Sequence, residues 1–127
     1  MIFTISVLGG TQGSQANLHA FNFAEAVVKA KHKIARIFFY QEGVSVALST
    51  ISIPTGEVNY SKAWQAFSSQ HNIELAVCIA SASRRGIVDN KKDGEKVSSL
   101  ADGFELVGLG QLTDAISNCD RYIEFSN

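Results

Sequence analysis

The chain has 127 residues, 46% of them hydrophobic and 18% charged, which is apolar material enough for a core and excludes a disordered composition. Its 11 basic and 12 acidic residues leave a formal charge of -1, so the totals demand neither a nucleic-acid nor an anionic-membrane partner. No stretch reaches the ~20 apolar residues of a bilayer span, and the two cysteines, Cys78 and Cys119, make neither a CxxC pair nor a metal-ligand spacing.

Ile2 to Leu8 is a short β-rich apolar run. It lacks a basic leader and a small-residue cleavage site, and so reads as a first strand rather than a signal peptide. With two lone thiols that do not resemble a disulfide framework, this makes a cytoplasmic setting the expectation. Gly9 to Ser14 ends the run. From Gln15 the apolar residues Leu18, Phe21, Ala24, Val27 and Val28 recur at three- and four-residue steps, which predicts an amphipathic helix through Lys31. Ile34 to Tyr40 predicts a second strand, closed by Gln41-Glu42-Gly43. The stretch Val44 to Tyr60 holds the only proline, Pro54, and reads as short helix plus exposed loop. Ser61 is the expected N-cap of a helix over Lys62 to His71, with Ala63, Trp64 and Phe67 on one face.

A third strand is expected over Ile73 to Ile79, ending at Cys78, and then a helix from about Ala80 that carries Arg84 and Arg85 to Gly86. Asp89 to Asp102 is polar and charge-rich, a surface loop or helix. Phe104 to Val107 predicts a strand, Gln111 to Asn118 a helix, and Tyr122 to Phe125 a terminal strand. Strands alternating with helices imply right-handed crossovers and a sheet covered on both faces. The expected fold is therefore α/β, a three-layer α/β/α sandwich with a mainly parallel sheet of about five strands, as one domain over 1–127.

Gly9-Gly10-Thr11-Gln12-Gly13-Ser14 stands where α/β folds bind phosphate, but its spacing is neither G-x-G-x-x-G nor a P-loop, and a tight turn explains the glycines. The histidines His19, His32 and His71 are scattered and have no i, i+4 partner, so no metal site is supported. Cys119 reads as a small buried hydrophobe. Cys78 differs. Reactive groups gather beyond the carboxyl ends of parallel strands, and there Leu75-Ala76-Val77 delivers this thiol to the start of a helix. Unpaired N–H groups at that helix start, with nearby Arg84 and Arg85, would favour a thiolate, the nucleophilic form of sulfur. Small residues at 80 to 83 are expected to leave the sulfur accessible. The competing reading is a packing cysteine.

Phe38-Phe39-Tyr40-Gln41-Glu42-Gly43-Val44 resembles the strand-and-turn signature of the DsrE/TusD family of sulfur-relay proteins. Cys78 to Ile87 resembles the family's active-cysteine segment. Ala63-Trp64-Gln65, Phe104 to Leu112 and Cys119 to Phe125 resemble further blocks, so the similarity runs in order along the chain. The segment Val44 to Tyr60 departs from the pattern.

The resemblance implies a sulfurtransferase in which Cys78 is the persulfide carrier, with no metal or organic cofactor. It implies TusB- and TusC-like subunits in a dimer of heterotrimers, sulfur taken from a TusA-like donor and passed to a TusE-like acceptor. The sulfur is destined for 2-thiolation of uridine at the tRNA wobble position, without contact between this chain and nucleic acid or membrane. Two other functions stay open on the residues: an architectural subunit in which Cys78 is merely retained, and a flavodoxin-like small-ligand binder using the Gly9 to Ser14 loop.

Overall fold

The first apolar run forms β1 (Ile2–Val7) and the helical period after it forms α1 (Ala16–Lys29), in a computed structural model that describes residues 1–92 and 95–127. α1 stops two residues short of Lys31, whose φ of 65° turns the chain toward β2 (Lys33–Phe39). A 3₁₀ segment, Gln41–Ala47, leads into the irregular stretch before α2 (Tyr60–His71). The cap of α2 is Asn59 rather than Ser61. Asn59 holds an extended backbone, and its side-chain oxygen accepts from the Lys62 N–H at 3.1 Å, one of the donors that the first helical turn leaves without a partner. Asn72, in the left-handed region, closes the other end.

β3 (Leu75–Cys78) passes directly into the five-residue α3 (Ile79–Ser83). Next come β4 (Asp89–Lys92), β5 (Glu95–Ser98), β6 (Phe104–Val107), α4 (Leu109–Ser117) and β7 (Arg121–Phe125). β4 and β5 pair antiparallel as a ribbon outside the main sheet, where a loop or helix was expected. With Val97 as its one β-branched residue and no aromatic one, the ribbon lacks the composition that announces a strand. Residues 93 and 94 of that segment lie outside the described residues.

The main sheet has five parallel strands in the order β6-β3-β2-β1-β7. Three successive crossovers step from β1 to β6, and the last returns across the sheet to pair β7 with β1. On one face lie α1 and α2, stitched to β2 by aromatic contacts: Phe21 and Trp64 with ring centroids 5.0 Å apart, Trp64 and Phe39 at 5.7 Å. Trp64 is fully buried and donates its indole N–H to the Asn17 side chain at 2.9 Å, so neither buried polar group goes unpaired. On the other face lies α4, whose carbonyls at Ala115 and Gln111 accept from the Thr4 hydroxyl and the Arg36 guanidinium. The expected three layers and five strands are present.

Candidate sulfur-transfer site

Cys78 is the last residue of β3, paired with Val107 of β6 at the carboxyl edge of the sheet. Side chains alternate along a strand, and Ala76 stands level with Phe38 of β2. Cys78 therefore shares a face with Ala76, Phe38 and Arg36, the face that α4 covers. The chain leaves Cys78 with an extended backbone (φ -61°, ψ 118°) and enters α3, for which Cys78 is the N-cap residue without a side-chain cap bond.

The expected access to the sulfur is absent: Cys78 is 1% exposed. Small side chains did not leave it open. They let α3 sink against its neighbours instead, with Ala82 at 0% and Ser81 at 3% exposure. Two aliphatic side chains beside the cysteine stay in solvent, Ile79 next to it in sequence and Leu109 just beyond Val107.

Arg84 lies at the C-cap of α3 and is exposed. Arg85 turns its guanidinium to Glu42, with Nη2 2.7 Å and Nε 3.1 Å from one carboxylate oxygen. Its Nη1 donates to the Ser81 carbonyl at 3.0 Å. Among the described residues, no hydrogen bond joins either guanidinium to the Cys78 sulfur, so the cationic groups and the thiol meet only through α3. The Arg85 charge holds the Glu42 carboxyl below its usual range, through the hydrogen bond first and the charge second. Ser81 makes a second link, its buried hydroxyl accepting from the Gln41 N–H at 3.2 Å.

These bonds give a physical account of two segments that stand far apart in the sequence, Phe38 to Val44 and Cys78 to Ile87. Gln41 has a φ of 52°, and Gly43 lies so close to β1 that a Cβ there would run into the Val7 carbonyl oxygen. The turn is thus pinned to the sheet at Gly43, and its Glu42 reaches 43 residues along the chain to Arg85. Glu42, Gln41 and Ser81 were not expected as site residues. The signal for Glu42 was its place in the Phe38–Val44 signature, but only the fold reveals its partner.

The Gly9 to Ser14 loop is a turn packed at Gly9 and exposed at Gln12 and Gly13. Gly9 has no room for a side chain beside Ser14 and Ala16, and Gly13 has a φ of 69°. Thr11 and Gln12 line a cavity of about 590 Å³ with Ser45, Ile51, Tyr60 and Lys62, and Cys78 is not part of its wall. The histidines are dispersed: His32 against the N-terminal amine, His19 against Gln15, His71 against the Phe67 ring. Cys119 is only partly buried, with its Sγ 3.3 Å from the Ile116 carbonyl. It stands before β7, at the amino edge of the sheet. The register that aligns Phe125, Val7, Phe39 and Val77 separates it from Cys78 by about seven residues of strand rise, roughly 20 Å. A disulfide requires Cα atoms about 4–7 Å apart. The two thiols cannot pair within one folded chain.

The model of the DsrE/DsrF-like family matches residues 1–125. The chain belongs to the DsrE/DsrF-like family. It is 41% identical over 128 residues to sulfurtransferase TusD of Proteus mirabilis (strain HI4320), with 98% of each chain covered. The sulfurtransferase TusD homolog of Aliivibrio fischeri (strain ATCC 700601 / ES114) gives the same identity and coverage. The crystal structure of the ychN protein from E. coli shares the fold, with a TM-score of 0.78 over 98% of this chain and 100% of that one, at 20% identity. Family membership and relatives this similar over nearly the full length bear out the sulfurtransferase class that the resemblance implied. Among the described residues, no helix is long and apolar enough to cross a membrane.

Proposed function

We propose that this DsrE/DsrF-like chain is a persulfide carrier in a sulfur relay, with Cys78 as the carrying residue. The observation behind the reading is the place of the thiol: the carboxyl end of an interior parallel strand, in a chain 41% identical to named sulfurtransferases along its length. The Cys78 thiolate attacks the outer sulfur of a donor persulfide. A new S–S bond forms to Cys78, the donor's S–S bond breaks, and its electron pair leaves on the donor sulfur as thiolate. The proton of the outer sulfur stays with it or passes to solvent. An acceptor thiolate then attacks the outer sulfur and releases the Cys78 thiolate, so the cycle consumes no oxidant or reductant. Such exchange depends on thiolate fraction, leaving group and access.

In this reading a TusA-like protein supplies the sulfur and a TusE-like protein receives it, toward 2-thiolation of uridine at the tRNA wobble position. The chain works in the cytoplasm, beside TusB- and TusC-like subunits in a dimer of heterotrimers. Its near-neutral charge suits protein partners rather than nucleic acid. Incubation with a persulfide donor followed by mass spectrometry of the intact protein tests it. A gain of about 32 mass units, one sulfur on a reactive thiol, is expected on the native chain and not on Cys78→Ser. The 1% exposure of Cys78 favours a second reading, an architectural subunit with a retained packing cysteine. No mass gain on Cys78 in the assembled complex would select it.

A further inference from the structure

We propose that Glu42, acting through Arg85, is a positioning residue that controls access to the Cys78 sulfur. The inference rests on the reading of Cys78 as a carrier, because a carrier's sulfur must be reached by two other sulfurs and this one is covered.

α3 follows Cys78 directly and packs against β3, β6 and the 3₁₀ segment. α3 has five residues, far fewer than the roughly 12 that an isolated helix needs even for marginal stability, so its position is set by what holds it from outside. Two ties connect it to the 3₁₀ segment. One is the Gln41 N–H on the buried Ser81 hydroxyl; the other is the Glu42 carboxylate on Arg85, whose third contact is the Ser81 carbonyl. Both ties converge on Ser81, three residues after the cysteine. Their other end is packed on the sheet, since Gly43 lies against the β1 backbone. Gln41, between them, sits in the left-handed region at φ 52°, a conformation that persists only where the surroundings enforce it. Of the two ties the ion pair is the one open to solvent, with side-chain exposures of 30% for Arg85 and 62% for Glu42. Ser81, by contrast, is 3% exposed. The pair is therefore the tie that changes in the surroundings can loosen, and its loosening frees the far end of α3 from the sheet.

The test reads thiol access without any sulfur donor. In a Cys119→Ser background, only Cys78 reacts with iodoacetamide, an uncharged reagent. The rate is followed to its high-pH plateau, where thiolate fraction no longer varies. Glu42→Gln should raise that plateau by about two- to fivefold, the range over which an exposed ion pair biases an equilibrium. Raising the ionic strength to about 1 M should speed the native chain and leave Glu42→Gln unchanged, since salt screens the pair. An unchanged plateau in Glu42→Gln, or a salt response that survives it, overturns the proposal. Should that variant fail to fold, the salt response of the native chain decides: no acceleration overturns the proposal as well. Failure of sulfur loading would leave these rates standing, so the two readings fail separately.

Discussion

Cys78 and Cys119 are chemically alike and structurally opposed, one at each edge of the parallel sheet. Cys119 was expected to be a buried hydrophobe; it is partly exposed, with its thiol hydrogen directed at the Ile116 carbonyl. A serine hydroxyl there inherits the same bond, so Cys119→Ser should change stability by less than about 0.5 kcal/mol and leave sulfur transfer intact. Denaturant melts with a transfer assay check both halves, and lost transfer at normal stability would give Cys119 a role it lacks here. Gly43 has the opposite character. Gly43→Ala forces a methyl group into the Val7 carbonyl and should cost about 3 kcal/mol, read as a lower denaturant midpoint. A midpoint within error of the native one would mean that the turn is not pinned to β1.

At the scale of elements, the apolar runs and their period made most of the fold legible in the sequence. Leu75-Ala76-Val77-Cys78 reads as a buried strand because every side chain in it is small or apolar, and it is one, ending at the expected residue. The β4–β5 ribbon was not legible, because Asp89–Lys92 and Glu95–Ser98 are mostly polar and carry no apolar alternation. Nor was the burial of the sulfur. The same small residues at 80 to 83 are compatible with an open thiol or with a tightly packed helix, and only the tertiary packing of α3 on β3, β6 and the 3₁₀ segment decides between them. The Arg85 partner is out of reach for the same reason, being 43 residues away. One polar cluster spans three adjacent strands: Arg36 of β2 donates to Glu74 at 2.6 Å, and Glu105 of β6 shares a hydrogen with Glu74. That shared bond, then the Glu74 charge, raises the Glu105 carboxyl above its ordinary 4.5, against the pull of Arg36. The folded state thus keeps this proton to a higher pH than the unfolded chain. Stability falls as pH rises from about 4.5 through the raised value, and the cost is fully present at neutral pH. Glu105→Gln retains the donor and has no proton to lose. Its melting temperature, relative to the native chain, should rise between pH 4.5 and pH 7. A difference that does not vary with pH would refute the shared bond.

For the whole molecule, the sheet gathers the ends of β3 and β6 and the turn after β2 around one covered thiol, and leaves Ile79 and Leu109 in solvent beside it. Apolar side chains left exposed in an isolated subunit favour association. Expressed alone, the chain should form homo-oligomers or be poorly soluble, and co-expression with TusB- and TusC-like partners should bring it into one defined complex. Light scattering on both preparations decides, and a monomer whose mass does not shift when both partners are added would count against the subunit role. The central claim, that Cys78 carries sulfur from one protein to another, is tested most directly by a single turnover with isotopically labelled sulfur. The label is loaded on the native chain, the donor is removed, and a TusE-like acceptor is added. Label should leave Cys78 at the rate at which it appears on the acceptor, and Cys78→Ser should pass none. Equal labelling of the acceptor through Cys78→Ser would contradict the claim.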